Sequence, residues 1–184
     1  MEPFAALLVV QDHDRTLDQL RARLVGLPER DAVRAVEADL AAIAAEEAEV
    51  AAPLAELDRT ESRLEDEAQG LKDQADAAEA RLYSGEVNAV KELQALQADV
   101  AMLRTHQGAL EEQALAIMEE REPLDAEMAR LAGARADAAT RLASATEALA
   151  AAVAAVEADI AAEMAVRDGA TADVDAGLLA LYDR

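Results

Sequence analysis

The side chains best suited to chemistry are few and poorly spaced for it. The chain has two histidines, His13 and His106, and neither stands in a Glu-x-x-His or His-Glu-x-x-His spacing. A carboxylate-bridged di-iron centre or a zincin-type zinc site is therefore not expected. His13 is read as a residue at the edge of a core and His106 as a solvent residue. The acid pairs Glu46-Glu47, Glu111-Glu112 and Glu119-Glu120 are adjacent in sequence. On helices that adjacency spreads each pair over neighbouring faces instead of converging it on a cation. With no cysteine, this chain offers no thiol nucleophile, disulfide, iron–sulfur cluster or cysteine-ligated zinc. A glycine-rich phosphate loop, a nucleophile elbow and a Ser/His/Asp arrangement are also missing, so neither catalysis nor a cofactor is expected of this chain.

The segment that draws attention is Tyr83-Ser84-Gly85-Glu86-Val87-Asn88. Gly85 permits a positive φ, and Asn88 can cap a following helix through its side-chain oxygen. Around it, Arg81, Lys91 and Arg104 balance Glu86, Glu92 and Asp99, so this stretch is locally neutral in a chain with a formal charge of -22. Turn geometry accounts for Gly85 and Asn88, but it does not demand Tyr83, Lys91, Glu92 or Gln94. Tyr83 is one of three aromatic residues, and an exposed aromatic is a good anchor for a protein partner.

The elements that must position this segment follow from composition and periodicity. Of 184 residues, 53% are hydrophobic and 2% aromatic, and alanine makes up roughly a quarter. Such a mixture favours helix but cannot build a wide core. From Val33, alternate steps of three and four residues reach Val36, Leu40, Ile43, Glu47, Val50, Leu54, Leu57, Glu61, Leu64, Ala68, Leu71, Ala75, Ala78 and Leu82, apolar at all but two positions. A second series runs from Leu93 to Leu149 through Gln107, Arg121 and Arg135, slips by one position, and continues as Val153, Val156, Ile160 and Met164. Seven-residue spacing of this kind keeps one stripe against a partner helix, and the slip is a stutter.

The predicted fold is all-α: a long, kinked, antiparallel coiled-coil helical hairpin over residues 1–168. It comprises an N-terminal helix over 4–26, a long helix over 29–82, a tip loop over 83–88 and a return helix over 89–168. Each arm would span roughly 115–120 Å if straight. Residues 169–184 are read as a short C-terminal helix packing on Phe4 and Leu7, or as the approach to a further segment. Pro53 and Pro123, inside the heptad runs, are expected to kink both arms at one level. With Leu82 set opposite Ala89, Glu47 falls diagonally across from Arg121 and Glu61 across from Gln107. Such polar pairs in an apolar seam set register. Arg135 finds no acid in that alignment and is expected to snorkel to the edge.

The run Arg81-Leu82-Tyr83-Ser84-Gly85 followed by Lys91-Glu92-Leu93-Gln94-Ala95-Leu96-Gln97 closely resembles the signature of bacterial coiled-coil hairpin proteins with a C-terminal four-cysteine zinc ribbon. Leu7-Leu8-Val9-Val10-Gln11-Asp12-His13-Asp14 with Leu17-Asp18 resembles that family's first helix, and Leu178 to Arg184 its approach to the ribbon. The resemblance implies a kinked hairpin and a nucleic-acid-binding or regulatory role; some members act as adaptors in flagellar gene control. It also implies zinc only where a four-cysteine ribbon follows Arg184.

The expected function is a non-enzymatic, cytoplasmic adaptor or spacer. A protein partner would dock at the tip residues Arg81, Tyr83, Ser84, Gly85, Asn88, Lys91, Glu92 and Gln94. One alternative is a regulator whose nucleic-acid binding resides in a ribbon missing here, since the acidic arms repel phosphates. Another is a structural rod that self-associates through its alanine-rich faces. No membrane contact is expected, because the run Phe4 to Val10 is too short for a span. The expected state is a monomer or weak homodimer.

Overall fold

A computed structural model describes residues 3–85, 87 and 89–182. Among the described residues there are four helices and no strand: α1 (Pro3–Val25), α2 (Glu29–Tyr83), α3 (Val90–Thr171) and α4 (Ala176–Tyr182). The two long helices, α2 and α3, pack antiparallel as a hairpin.

Each boundary has a local cause. At the end of α1 the Gly26 amide donates to the Ala22 carbonyl at 3.0 Å. Pro28, which has no amide hydrogen to lose, precedes α2, and its carbonyl accepts from Asp31 and Ala32. Glu29 and Asp31 in the first turn of α2 suit the positive end of the helix dipole. The chain leaves α2 through Gly85, whose φ of 77° is the left-handed conformation that favours glycine. Asn88, expected to cap α3, lies outside the described residues, as does Glu86. The Ala89 carbonyl accepts from the Glu92 and Leu93 amides at 3.0 Å each. Asp175 caps α4: its Oδ1 accepts from the amides of Gly177 and Leu178 at 3.0 and 3.1 Å.

Contacts divide the chain into two compact units, one of Met1–Ala41 with Ala136–Arg184 and one of Ala42–Arg135. In the second, Leu64, Ala68, Leu110 and Ala114 form a buried cluster with Leu71 and Ile117 packed on it, and Leu131 is 1% exposed. Every member of the series from Val33 to Leu82 is buried or half-buried. Both long helices run through their prolines, at Pro53 and Pro123, without a break. The two prolines line one open groove together with Leu57 and Leu124, so they do lie at one level of this unit.

The axial alignment differs from the sequence expectation. Glu61 pairs with Arg121, not with Gln107, and Glu47 pairs with Arg135 at 3.1 Å, not with Arg121. Gln107 instead bonds within its own helix, donating to Glu111 at 2.7 Å and accepting from Arg104 at 3.1 Å. Arg135 is not an unpaired residue, although it is exposed, and Ala134 takes the place on the stripe that heptad counting gave to Arg135.

The reason is physical. A seven-residue repeat fixes which faces meet but leaves sliding by whole heptads undetermined. Moreover, helical side chains lean towards their own N-terminus. In an antiparallel pair each ion pair therefore joins an α3 residue further from the turn than the residue level with its partner.

In the first unit α1 contributes Ala6, Val10 and Leu17 to a core completed by Leu27, Ala138 and Val156. The expected continuation of the α3 stripe at Met164 is not found, since Met164 is 46% exposed. The half-buried positions of α3 after Ile160 are Glu163, Arg167, Ala170 and Thr171. A polar seam thus replaces an apolar one at this end, because α1 meets it with His13 and Asp14.

Candidate functional site

The tip lies in the unit Ala42–Arg135. The side chain of Tyr83, the last residue of α2, is 83% exposed, and Val90, the first of α3, is 69% exposed. Arg81, Ser84, Gly85, Lys91, Glu92 and Gln94 are exposed as well, whereas Leu82, Leu93 and Leu96 are half-buried in the seam. The Ser84 hydroxyl donates to the Arg81 carbonyl at 2.9 Å, which fastens the last turn of α2. Arg104, counted in sequence among the balancing cations, is occupied: it donates to Asp76 and, at 3.2 Å, to Glu79. Those hydrogen bonds, Glu79 first, push its guanidinium pKa further up. The cations presented at the tip are therefore Arg81 and Lys91. Tyr83, Lys91, Glu92 and Gln94 are all exposed at this end of the hairpin, and an exposed aromatic is suited to protein contact.

The register residues lie deeper in the same unit. Arg121, whose side chain is 28% exposed, sits between Glu61, Asp58 at 2.8 Å and Asp125 at 3.9 Å, and the Glu61 side chain is only 13% exposed. The Glu61 hydrogen bond, with Asp58 and Asp125 nearby, pushes the Arg121 pKa up against the cost of burial.

A second constellation, in the other unit, was missed by sequence reasoning. Arg167 donates to both carboxylate oxygens of Asp14, at 2.6 and 3.4 Å, and the Tyr182 hydroxyl donates to Asp14 Oδ2 at 3.0 Å. Beside it, His13 Nδ1 lies 2.7 Å from Glu163 Oε1. One more three-residue step from Ile160 would have found Glu163, and a four-residue step from there Arg167. Of the two residues on which a C-terminal helix was expected to pack, Phe4 stays 68% exposed and Leu7 is half-buried, and α4 is tied down at its end by Tyr182.

The Arg167 guanidinium holds the Asp14 carboxyl below its ordinary value of 3.8, with burial opposing and Tyr182 assisting. The folded pKa is thus lower than the unfolded one. The stabilisation is fully present above the ordinary value and is lost as pH falls through the depressed one. Asp14→Asn is therefore expected to speed amide exchange across α4 several-fold near neutral pH. Wild type and variant should begin to converge as pH falls below 3.8, the ordinary carboxylate value, and converge fully only below the depressed one. Equal exchange in the two proteins near neutral pH would show that Asp14 does not anchor α4.

Among the described residues no group of three or more histidine, aspartate or glutamate side chains is arranged to hold a metal ion. Among the described residues no helix is long and apolar enough to cross a membrane either.

An antiparallel α2–α3 hairpin, preceded in sequence by α1 and followed by α4, defines a coiled-coil hairpin protein. The model of the CT398-like coiled coil hairpin domain matches residues 10–184, and the chain belongs to that family. A solved protein from Mycobacterium smegmatis superposes with a TM-score of 0.88 at 24% identity, over 98% of this chain and 75% of that one. That likeness concerns the fold. No curated relative matches the chain.

Proposed function

We propose that the chain is a non-enzymatic, cytoplasmic coiled-coil adaptor whose tip docks a protein partner. The observation that carries this reading is Tyr83, 83% exposed at a turn set by Gly85, with Lys91 exposed nearby. A large aromatic left in water has a cost that an interface removes. With Arg81 and Lys91 against Glu86, Glu92 and Asp99, the tip is also less acidic than the rest of a chain of charge -22, so a partner meets less repulsion there than along the arms. That same charge disfavours phosphate binding by this chain. A regulatory role through nucleic acid would need a further domain, such as a four-cysteine zinc ribbon beyond Arg184, with its zinc.

The test is capture of a partner from the source cell by the immobilised chain, compared with a Tyr83→Ala/Lys91→Glu variant. Capture is expected to fall at least tenfold while helix content by circular dichroism stays unchanged, because neither side chain supports the seam. Capture that survives both changes would place the contact elsewhere.

A further inference from the structure

The groove beside the two prolines has a chemistry that the hairpin does not need. It is lined by Pro53, Leu57, Pro123 and Leu124 together with the exposed Glu56 and Glu120. Both prolines are exposed to solvent. Neither position belongs to the buried stripe, so packing α2 on α3 does not call for a ring there, and alanine would keep the helical hydrogen bonds. Proline instead deletes its own amide donor, so the carbonyls four residues earlier, those of Glu49 and Glu119, lose their helical partners next to the two rings. The polar groups around the apolar surface are therefore acceptors: two carboxylates and two backbone carbonyls. Arg59 and Arg121, the cations nearest in sequence, are already engaged, Arg59 with Glu56 at 2.6 Å and Arg121 with Glu61 and with Asp58 at 2.8 Å.

We infer that this groove is a docking site for a basic amphipathic helix of a protein partner. Its apolar side chains would cover the prolines and leucines, and its lysine or arginine heads would reach Glu56, Glu120 and the freed carbonyls. The charge pattern selects that occupant. A second copy of this chain would bring a formal charge of -22 against a groove that itself carries Glu56 and Glu120, and a neutral apolar segment would leave the acceptors without donors. The site is separate from the tip and independent of it.

The probe is a synthetic 18-residue helical peptide of leucine and lysine, with its leucines on one face, titrated into the full chain and followed by fluorescence anisotropy. Pro53→Ala/Pro123→Ala restores both helical hydrogen bonds and removes both rings, so it tests the groove without endangering the helices. Glu56→Gln/Glu120→Gln removes the groove's two carboxylate charges. Glu111→Gln/Glu112→Gln removes equal charge away from the groove. Binding is expected to weaken at least tenfold in each groove variant and to stay within twofold of wild type in the control. Equal weakening in the control would reduce the interaction to diffuse attraction between opposite charges and overturn the proposal. Unchanged binding in the groove variants, or equally tight binding of a peptide with the same composition but scattered leucines, would overturn it too. So would no binding to the wild-type chain.

Discussion

Arg121→Glu is expected to lower the melting temperature by several degrees, well beyond the effect of the same change at an exposed pair such as Arg34 with Asp31. Arg121 is flanked by Asp58, Glu61 and Asp125, so the substitution places a fourth carboxylate among three. Glu61, with its side chain 13% exposed, cannot turn to water for compensation, whereas Asp31 and Arg34, at 73% and 71%, can. Exchanging the charges, Glu61→Arg with Arg121→Glu, should recover part of the loss, since the pair is rebuilt although Asp58 and Asp125 now adjoin a carboxylate at position 121. Thermal scans at low and high salt provide the check, and the deficit of the single variant should shrink with salt. If Arg121→Glu melts no lower than Arg34→Glu, the pair does not set the alignment of α2 and α3.

Leu131→Ala should have the largest effect of any apolar truncation in the Ala42–Arg135 unit. The side chain is 1% exposed and belongs to a seam only one residue deep, with few neighbours able to move into the space it leaves. A loss of about 2–5 kcal/mol is expected, measured as a lower urea midpoint at unchanged slope. Leu115→Ala, at a position 59% exposed, should change stability by less than about 0.5 kcal/mol. Comparable losses at the two positions would mean that burial along the seam does not govern stability.

How far the fold was legible depends on what each residue's environment demands. The stripe from Val33 to Leu82 was legible because water exposure penalises every apolar member at the same angular position. Gly85 was legible because few other residues tolerate its φ. Sliding along the stripe was not legible, because moving the partner by a heptad leaves apolar facing apolar. Ion pairs such as those of Arg121 and Arg135 break that degeneracy, and their reach depends on side-chain lean that a flat count omits. At the far end, following apolar identity led to Met164, whereas geometry placed Glu163 and Arg167 in the seam. Those two are tolerated there because His13 and Asp14 come from α1, a long-range pairing that no local pattern announces. At the tip, exposure of Tyr83 and Lys91 agrees with their lacking a role in the turn, while Asn88 lies outside the described residues.

The ion pairs between the long helices also form a ladder in sequence distance. Arg104 reaches Glu79 across 25 residues, Arg121 reaches Glu61 across 60, Arg135 reaches Glu47 across 88 and Arg141 reaches Asp39 across 102. Closing the longest of these first would require ordering a very large loop, whereas closing them in turn lengthens each loop only by the step from the previous rung. Loop closure therefore favours zipping from the turn, with Gly85 and the Arg104 rung at the start of that order. A residue at that end can thus govern the folding rate while contributing little to the stability of the finished molecule.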